Sequence, residues 1–122
     1  MDDLDYVDLR LTTAELDAET IVITATGELD VWTGSAFDAE LEKAVAREVT
    51  HVIVDLSTVP LIDSVVLGIL MRHGKALKAR RGELVLVSDD PRTTRVIEIT
   101  GLSYLFRMTS SLADAVASAR AA

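Results

Sequence analysis

Asp63 and Ser64 stand between a strand-like run and an apolar helical run, in the segment VIVDLSTVPLIDSVVLGIL that covers residues 52 to 70. A hydroxyl at a helix start meets backbone N–H groups that lack intrahelical partners, and the positive end of the helix dipole. Two kinds of chemistry suit that place: the serine caps the helix, or it carries a phosphate. Glu28 and Asp30 fall two apart on one side of an extended segment, but paired-carboxylate acid–base work needs a pocket that the sequence does not show. His73 cannot act as a base on Ser64, because nine helical residues separate them by about 14 Å along the axis. His51 is the one other histidine and cysteine is absent, so thiolate catalysis, Cys-ligated zinc and a histidine metal site find no support. No catalytic, cofactor or metal residue is assigned, and the chain reads as a binding protein and not an enzyme.

The elements that must hold this junction follow from hydrophobic periodicity. YVDLRLT (6 to 12) alternates, with Val7, Leu9 and Leu11 opposite Asp8 and Arg10, and TIVITAT (20 to 26) follows a polar turn, which predicts an antiparallel pair. Next, Phe37, Leu41, Ala44 and Val45 line one face of a helix, with Ser35 and Asp38 spaced as a capping box. HVIVDL (51 to 56) is a continuous apolar run of the kind buried on both faces of a parallel sheet. The second helix, roughly 64 to 80, places Leu67, Leu70, Met71 and Leu77 on a shared face. ELVLVS (83 to 88) is a strand, Asp90-Pro91 opens a third helix and Gly101 ends it. YLFRM (104 to 108) is the last strand, and Thr109 to Ala122 a final helix aligned through Leu112, Ala115, Val116 and Ala119, capped by Ser111 with Asp114 three residues on. The order β-β-α-β-α-β-α-β-α predicts an α/β fold, a mixed sheet of four to five strands covered by about four helices, in one domain across 1–122.

Charge and composition narrow the partners. The 122 residues, about half of them apolar, carry 20 acidic against 12 basic side chains for a formal charge of -8, which repels nucleic acid and anionic bilayers. No apolar run approaches the ~20 residues that span a bilayer. The acidic start MDDLDYVDLR is unlike a signal peptide, so a cytoplasmic chain is expected. A receiver domain phosphorylated at Asp55 needs an acidic pair after its first strand and a lysine after its last. Thr12-Thr13 and Thr109-Ser110-Ser111 stand there instead, and GXXXXGK[ST] and GxGxxG are missing.

Four pieces in order, GELDVWTGSAFDAEL, VIVDLSTVPLIDSVVLGIL, GELVLVS and RVIEITGL, make the chain resemble the STAS domain of bacterial anti-sigma factor antagonists over almost its whole length. The resemblance implies a switch in transcription regulation. Unphosphorylated, such a protein captures an anti-sigma factor that is also a serine kinase; phosphorylation ends the capture, and a phosphatase resets it. Carried over, the acceptor is Ser64, with Asp63 beside it and Asp30 in a neighbouring loop; Leu67 and Gly68 match the L-G of the motif. Val65 and Val66 depart from the family's Ser or Thr followed by Gly, and two β-branched side chains there crowd a kinase's approach. The alternative is a STAS domain that does not switch and serves as a scaffold or as a subunit of a larger assembly, such as one for lipid transport.

Partner-binding residues are taken as Asp30, Asp63, Val65, Gly68, Ile69 and Arg72, around the acceptor Ser64. Each has a plainer reading. Ser64 could only cap the helix and Asp30 only form a turn. Val65 and Ile69 lie away from the Leu67–Met71 face, so they are either buried between neighbouring elements or part of an exposed apolar patch. Trp32 reads as a partly buried anchor at the helix entry, with a stacking surface as its alternative.

Overall fold

Period-two alternation sorts the apolar residues of the strands onto two faces of one sheet. Ile21, Ile23, Val52, Val54, Leu84 and Leu86 enter the larger core, while their neighbours Val22, Ile53, Val85 and Val87 enter a smaller one behind it. The structure, a computed structural model, describes residues 9–60 and 62–121. Tyr6, Val7 and Asp8 of the first expected strand, the acidic start before them, and Ala122 of the last helix lie outside the described residues.

The strands are β1 (Leu9–Asp17), β2 (Thr20–Gly27), β3 (His51–Asp55), β4 (Glu83–Val87) and β5 (Phe106–Thr109), and they lie in the order β1-β2-β3-β4-β5. β1 pairs antiparallel with β2, and the remaining pairs are parallel. Because β2 to β5 advance in one direction across the sheet, right-handed crossovers put all three connecting helices on one face. Those are α1 (Gly34–Ala46), α2 (Ser64–Ala79) and α3 (Pro91–Ile99), which bring Phe37, Leu41, Leu70, Leu77 and Ile97 to the larger core. The last helix, α4 (Leu112–Ala121), follows β5 without a crossover and covers the other face through Ala115 and Ala119. Five strands and four helices thus stand in the order that the sequence predicts.

Several local expectations need correction. The last strand starts at Phe106 and not Tyr104, because the Leu105 N–H closes a turn on the Leu102 carbonyl at 2.9 Å and leaves Tyr104 exposed. Thr109 pairs with Val87 in the sheet, so α4 opens only at Leu112, where the Ser111 hydroxyl accepts the Asp114 N–H at 3.1 Å. Leu112 itself is exposed. Ser35 does not cap α1: the N-cap is Thr33, and Asp38 inside the helix turns to another element. On α2 the buried face is Val66, Ile69, Leu70, His73, Gly74 and Leu77. It is rotated from the expected one because α2 packs on α1 as well as on the sheet, which leaves Leu67 and Met71 at the margin of the core. The third helix is as expected. Asp90 accepts the Arg92 N–H at 2.9 Å with Pro91 in the first turn, and Gly101 closes it at φ +73, a conformation glycine adopts freely.

Candidate functional site

The C-terminal ends of parallel strands open onto the loops that carry function in sheets of this kind. Two of these loops meet here. β2 runs into Glu28–Thr33 before α1, and β3 runs into residues 56–63 before α2. Val59 and Ile62 are buried under the second loop, and the Thr58 hydroxyl donates to the Ala25 carbonyl at 3.2 Å, so the loop is tied to the end of β2. From the other side, Arg92 on α3 donates to the Pro60 carbonyl at 3.1 Å. Its own carboxylate partner, Asp90, is held below the usual carboxylate range by the Arg92 hydrogen bonds. Glu28, Leu29, Asp30, Pro60 and Asp63 line a cavity of about 240 Å³ between the two loops.

Helix α2 begins as an N-cap demands. Asp63 has extended backbone at φ -100 and ψ -177, and its carboxylate accepts the Val66 N–H at 3.0 Å. The cap is therefore Asp63 and not Ser64, which corrects the capping reading of the serine. Ser64 occupies the first helical position with its side chain exposed, and its hydroxyl has no hydrogen-bond partner among the described residues. The N–H groups of Ser64 and Val65 lack intrahelical acceptors by position, so they point with the helix dipole toward whatever the hydroxyl carries.

In the facing loop the Asp30 carboxylate accepts from Trp32 N–H at 2.9 Å and Thr33 N–H at 3.1 Å. The Thr33 hydroxyl in turn accepts the Asp30 N–H at 3.0 Å and donates to the Glu28 carbonyl at 2.9 Å. This reciprocal box is built on D-x-x-T spacing, a signal the sequence carried and the capping-box reading of Ser35 passed over. It fixes the entry to α1 and throws Trp32 outward. The indole is 86% exposed, so the expectation of a partly buried anchor is corrected.

The remaining expected residues separate. Val65 is exposed beside Ser64, whereas Val66 is fully buried, so only one of the two valines shares the surface of Ser64. Ile69 is a core residue packed toward Gly34 of α1 and cannot face a partner. Gly68 is half-buried, and a Cβ built on it would meet nothing within 4 Å. Arg72 is bound to its own chain: its guanidinium grips Asp38 of α1 through both oxygens, at 3.0 and 2.9 Å. Buried His73 also donates to Asp38, at 2.7 Å. The Arg72 hydrogen bonds first and the His73 bond second hold the Asp38 carboxyl below its ordinary range. Nothing in the sequence foretold this clamp, since Asp38 and Arg72 are 34 residues apart.

The chain is similar to known proteins over most of its length. The sequence profile of the STAS domain matches residues 12–115. An anti-sigma-B factor antagonist of Listeria monocytogenes is 34% identical over 102 residues, 84% of this chain and 90% of the relative. An anti-sigma-F factor antagonist of Mycobacterium tuberculosis is 33% identical over 99 residues, 81% of this chain and 80% of the relative. A solved anti-sigma factor antagonist from Mycobacterium paratuberculosis superposes with a TM-score of 0.82 at 29% identity, over 92% of this chain and 94% of that one.

Proposed function

The chain belongs to the STAS domain family, and from that premise we propose that it is an anti-sigma factor antagonist whose capture of a serine-kinase anti-sigma factor ends when Ser64 is phosphorylated. The observation that carries the reading is the free, exposed hydroxyl of Ser64 at the first position of α2, with Asp63 already serving as cap. The reading is of a bacterial cytoplasmic protein that acts by binding protein and by no chemistry of its own. While Ser64 is unmodified, the kinase is held and the sigma factor it restrains is free for transcription.

A phosphate brings about -1.5 to -2 charges. On the protein's side the helix dipole and the unpaired N–H groups of Ser64 and Val65 receive it, so the fold tolerates it. On the partner's side the sign reverses. The phosphate stands next to Asp63, which lines one cavity with Asp30 and Glu28, and a docking protein must bury a dianion close to these acidic residues. Affinity falls while stability does not.

Three hydroxyls near the ends of β3 and β4 are poorer acceptors. The Ser88 side chain is buried and accepts the Asp90 N–H, and Thr58 is bound to Ala25. Ser57 is exposed but has no helix N-terminus behind it. Incubation with each serine-kinase anti-sigma factor of the source genome and ATP, followed by mass spectrometry, should place phosphate on Ser64 alone. Full-stoichiometry labelling of a Ser64→Ala protein overturns the assignment.

Exposed Val65 favours a second reading, a STAS domain that binds without switching, as a scaffold or a subunit of a larger assembly. Binding to a kinase with no phosphate transfer to any hydroxyl would select it.

A further inference from the structure

Trp32 and Gly68 each cost this protein something that its own fold does not return. An indole left 86% exposed keeps a large apolar surface in water, and Val31 beside it is 60% exposed. Gly68 interrupts a helix where alanine is intrinsically better, yet the space its missing Cβ leaves is empty. The same is not true of Gly74 on the same helix, where a Cβ would come within 2.8 Å of the Phe106 ring. A helical glycine with no internal neighbour is explained by something outside that lies close against the helix.

These residues gather where the start of α1 meets the start of α2. Gly34, two residues after Trp32, faces Val65 and Ile69: a Cβ built on it would lie 3.5 Å from the Val65 side chain and 3.4 Å from that of Ile69. Exposed Val65 thus stands against the start of α1, the helix that exposed Val31 and Trp32 lead into, and Gly68 lies one helical turn beyond Ser64. Glu28, Asp30 and Asp63 line the cavity between the two loops, and Asp30 and Asp63 bring negative charge within two residues of Val31 and Val65 along the chain.

We infer, on the footing of the reading just given, that Val31, Trp32 and Val65 are the apolar anchor by which the anti-sigma kinase is held, with Trp32 seated in an apolar pocket of the kinase rimmed by lysine or arginine, and that the kinase lies directly on α2 at Gly68. Charge complementarity selects the rim. A buried tryptophan ringed by charge pairs is the usual centre of such an interface. The anchor also gives specificity a place separate from the switch: Ser64 decides whether the partner binds, and residues 31, 32 and 65 decide which partner does.

The test is calorimetric titration of unphosphorylated protein against each purified serine-kinase anti-sigma factor of the source genome. With the kinase that binds wild type, Trp32→Ala should weaken binding by about thirtyfold. Gly68→Ala should weaken it by about tenfold or more while raising the melting temperature, a combination that a merely structural role would not give. Ile99→Ser, an exposed apolar residue at the far end of α3, should leave affinity unchanged. Wild-type binding with unaltered affinity in Trp32→Ala and Gly68→Ala overturns the anchor and leaves the proposed function standing. Wild-type binding to none of the kinases overturns both. Sedimentation of the protein alone covers the remaining occupant: self-association abolished by Trp32→Ala would make the patch an interface between copies and overturn the inference.

Discussion

The Asp63 carboxylate accepts the backbone N–H of Val66 across 3.0 Å, and that bond relieves the intervening Ser64 of any part in holding the helix. On the proposed reading, stability and signalling are thereby divided between adjacent residues. Asp63→Ala should cost about 1 kcal/mol, the ordinary value of an N-cap, whereas Ser64→Ala should stay within about 0.5 kcal/mol of wild type. Urea unfolding of the two variants checks this, and equal losses would return the capping role to Ser64.

Ser64→Asp should lower affinity for the kinase only partly, since a carboxylate carries less charge than a phosphate and fewer acceptor oxygens. Ser64→Ala should bind constitutively. Melting curves of wild type, Ser64→Asp and phosphorylated protein should lie close together while their titrations diverge. A collapsed melting temperature in the phosphorylated form would show that the switch works by unfolding α2 and not by repulsion.

Asp38 ties α1 to α2 through Arg72 and His73. A carboxyl whose folded pKa lies below its unfolded value stabilises the fold fully above about pH 4 and loses that contribution as the pH falls through the folded value. The stability gap between wild type and Asp38→Asn should therefore narrow as the pH is lowered below about 4. At neutral pH Asp38→Ala should cost about 1–3 kcal/mol, because buried His73 is left without its acceptor. Denaturant midpoints across pH 2 to 7 in steps of about one unit follow the gap.

Val65 and Ile69 are one turn apart on α2 and behave oppositely. Ile69 is 8% exposed and Val65 42%. Ile69→Ala should destabilise by about 2–5 kcal/mol, and Ile69→Arg should fail to fold, because it drives a charge into the core. Val65→Arg should fold normally and lose kinase binding. Circular dichroism of the three proteins separates the outcomes before any binding is measured.

Gly68 and Gly74 make a second contrasting pair. Gly68→Ala should stabilise the free protein by about 0.5–1 kcal/mol through helix propensity alone. Gly74→Ala should destabilise by about 1–3 kcal/mol, because its Cβ collides with the Phe106 ring and approaches the Leu105 carbonyl. Thermal melts of the two single variants should move in opposite directions.

The elements themselves were legible because their signals are local. Continuous apolar runs over Ile21–Ile23 and Val52–Val54 marked strands, Asp90-Pro91 and Gly101 bracketed α3, and Asp63-Ser64 marked the start of α2. The sheet order β1-β2-β3-β4-β5 came from the structure, since crossover handedness alone permits other orders. The errors fell at ends and faces. Tyr104 reads as a strand residue by composition but is spent in a turn, and Ser35 has a capping-box partner in Asp38, which is instead engaged by Arg72 and His73 while the helix opens one residue before Ser35.

What the sequence determined by itself was Ser64 and its setting: a serine following an N-capping aspartate, at a helix start, after a buried strand, because each of those is a property of contiguous residues. What only the tertiary structure decided was which side chains around it face outward. The turn of α2 about its axis is set by its simultaneous contacts with the sheet and with α1, and that turn buries Ile69 and Val66, exposes Val65, and commits Arg72 to Asp38. The Asp30–Thr33 box likewise aims Trp32 at solvent through hydrogen bonds of the folded loop. Helical periodicity fixes which residues share a face, but contacts between elements far apart in the chain choose the face that is buried.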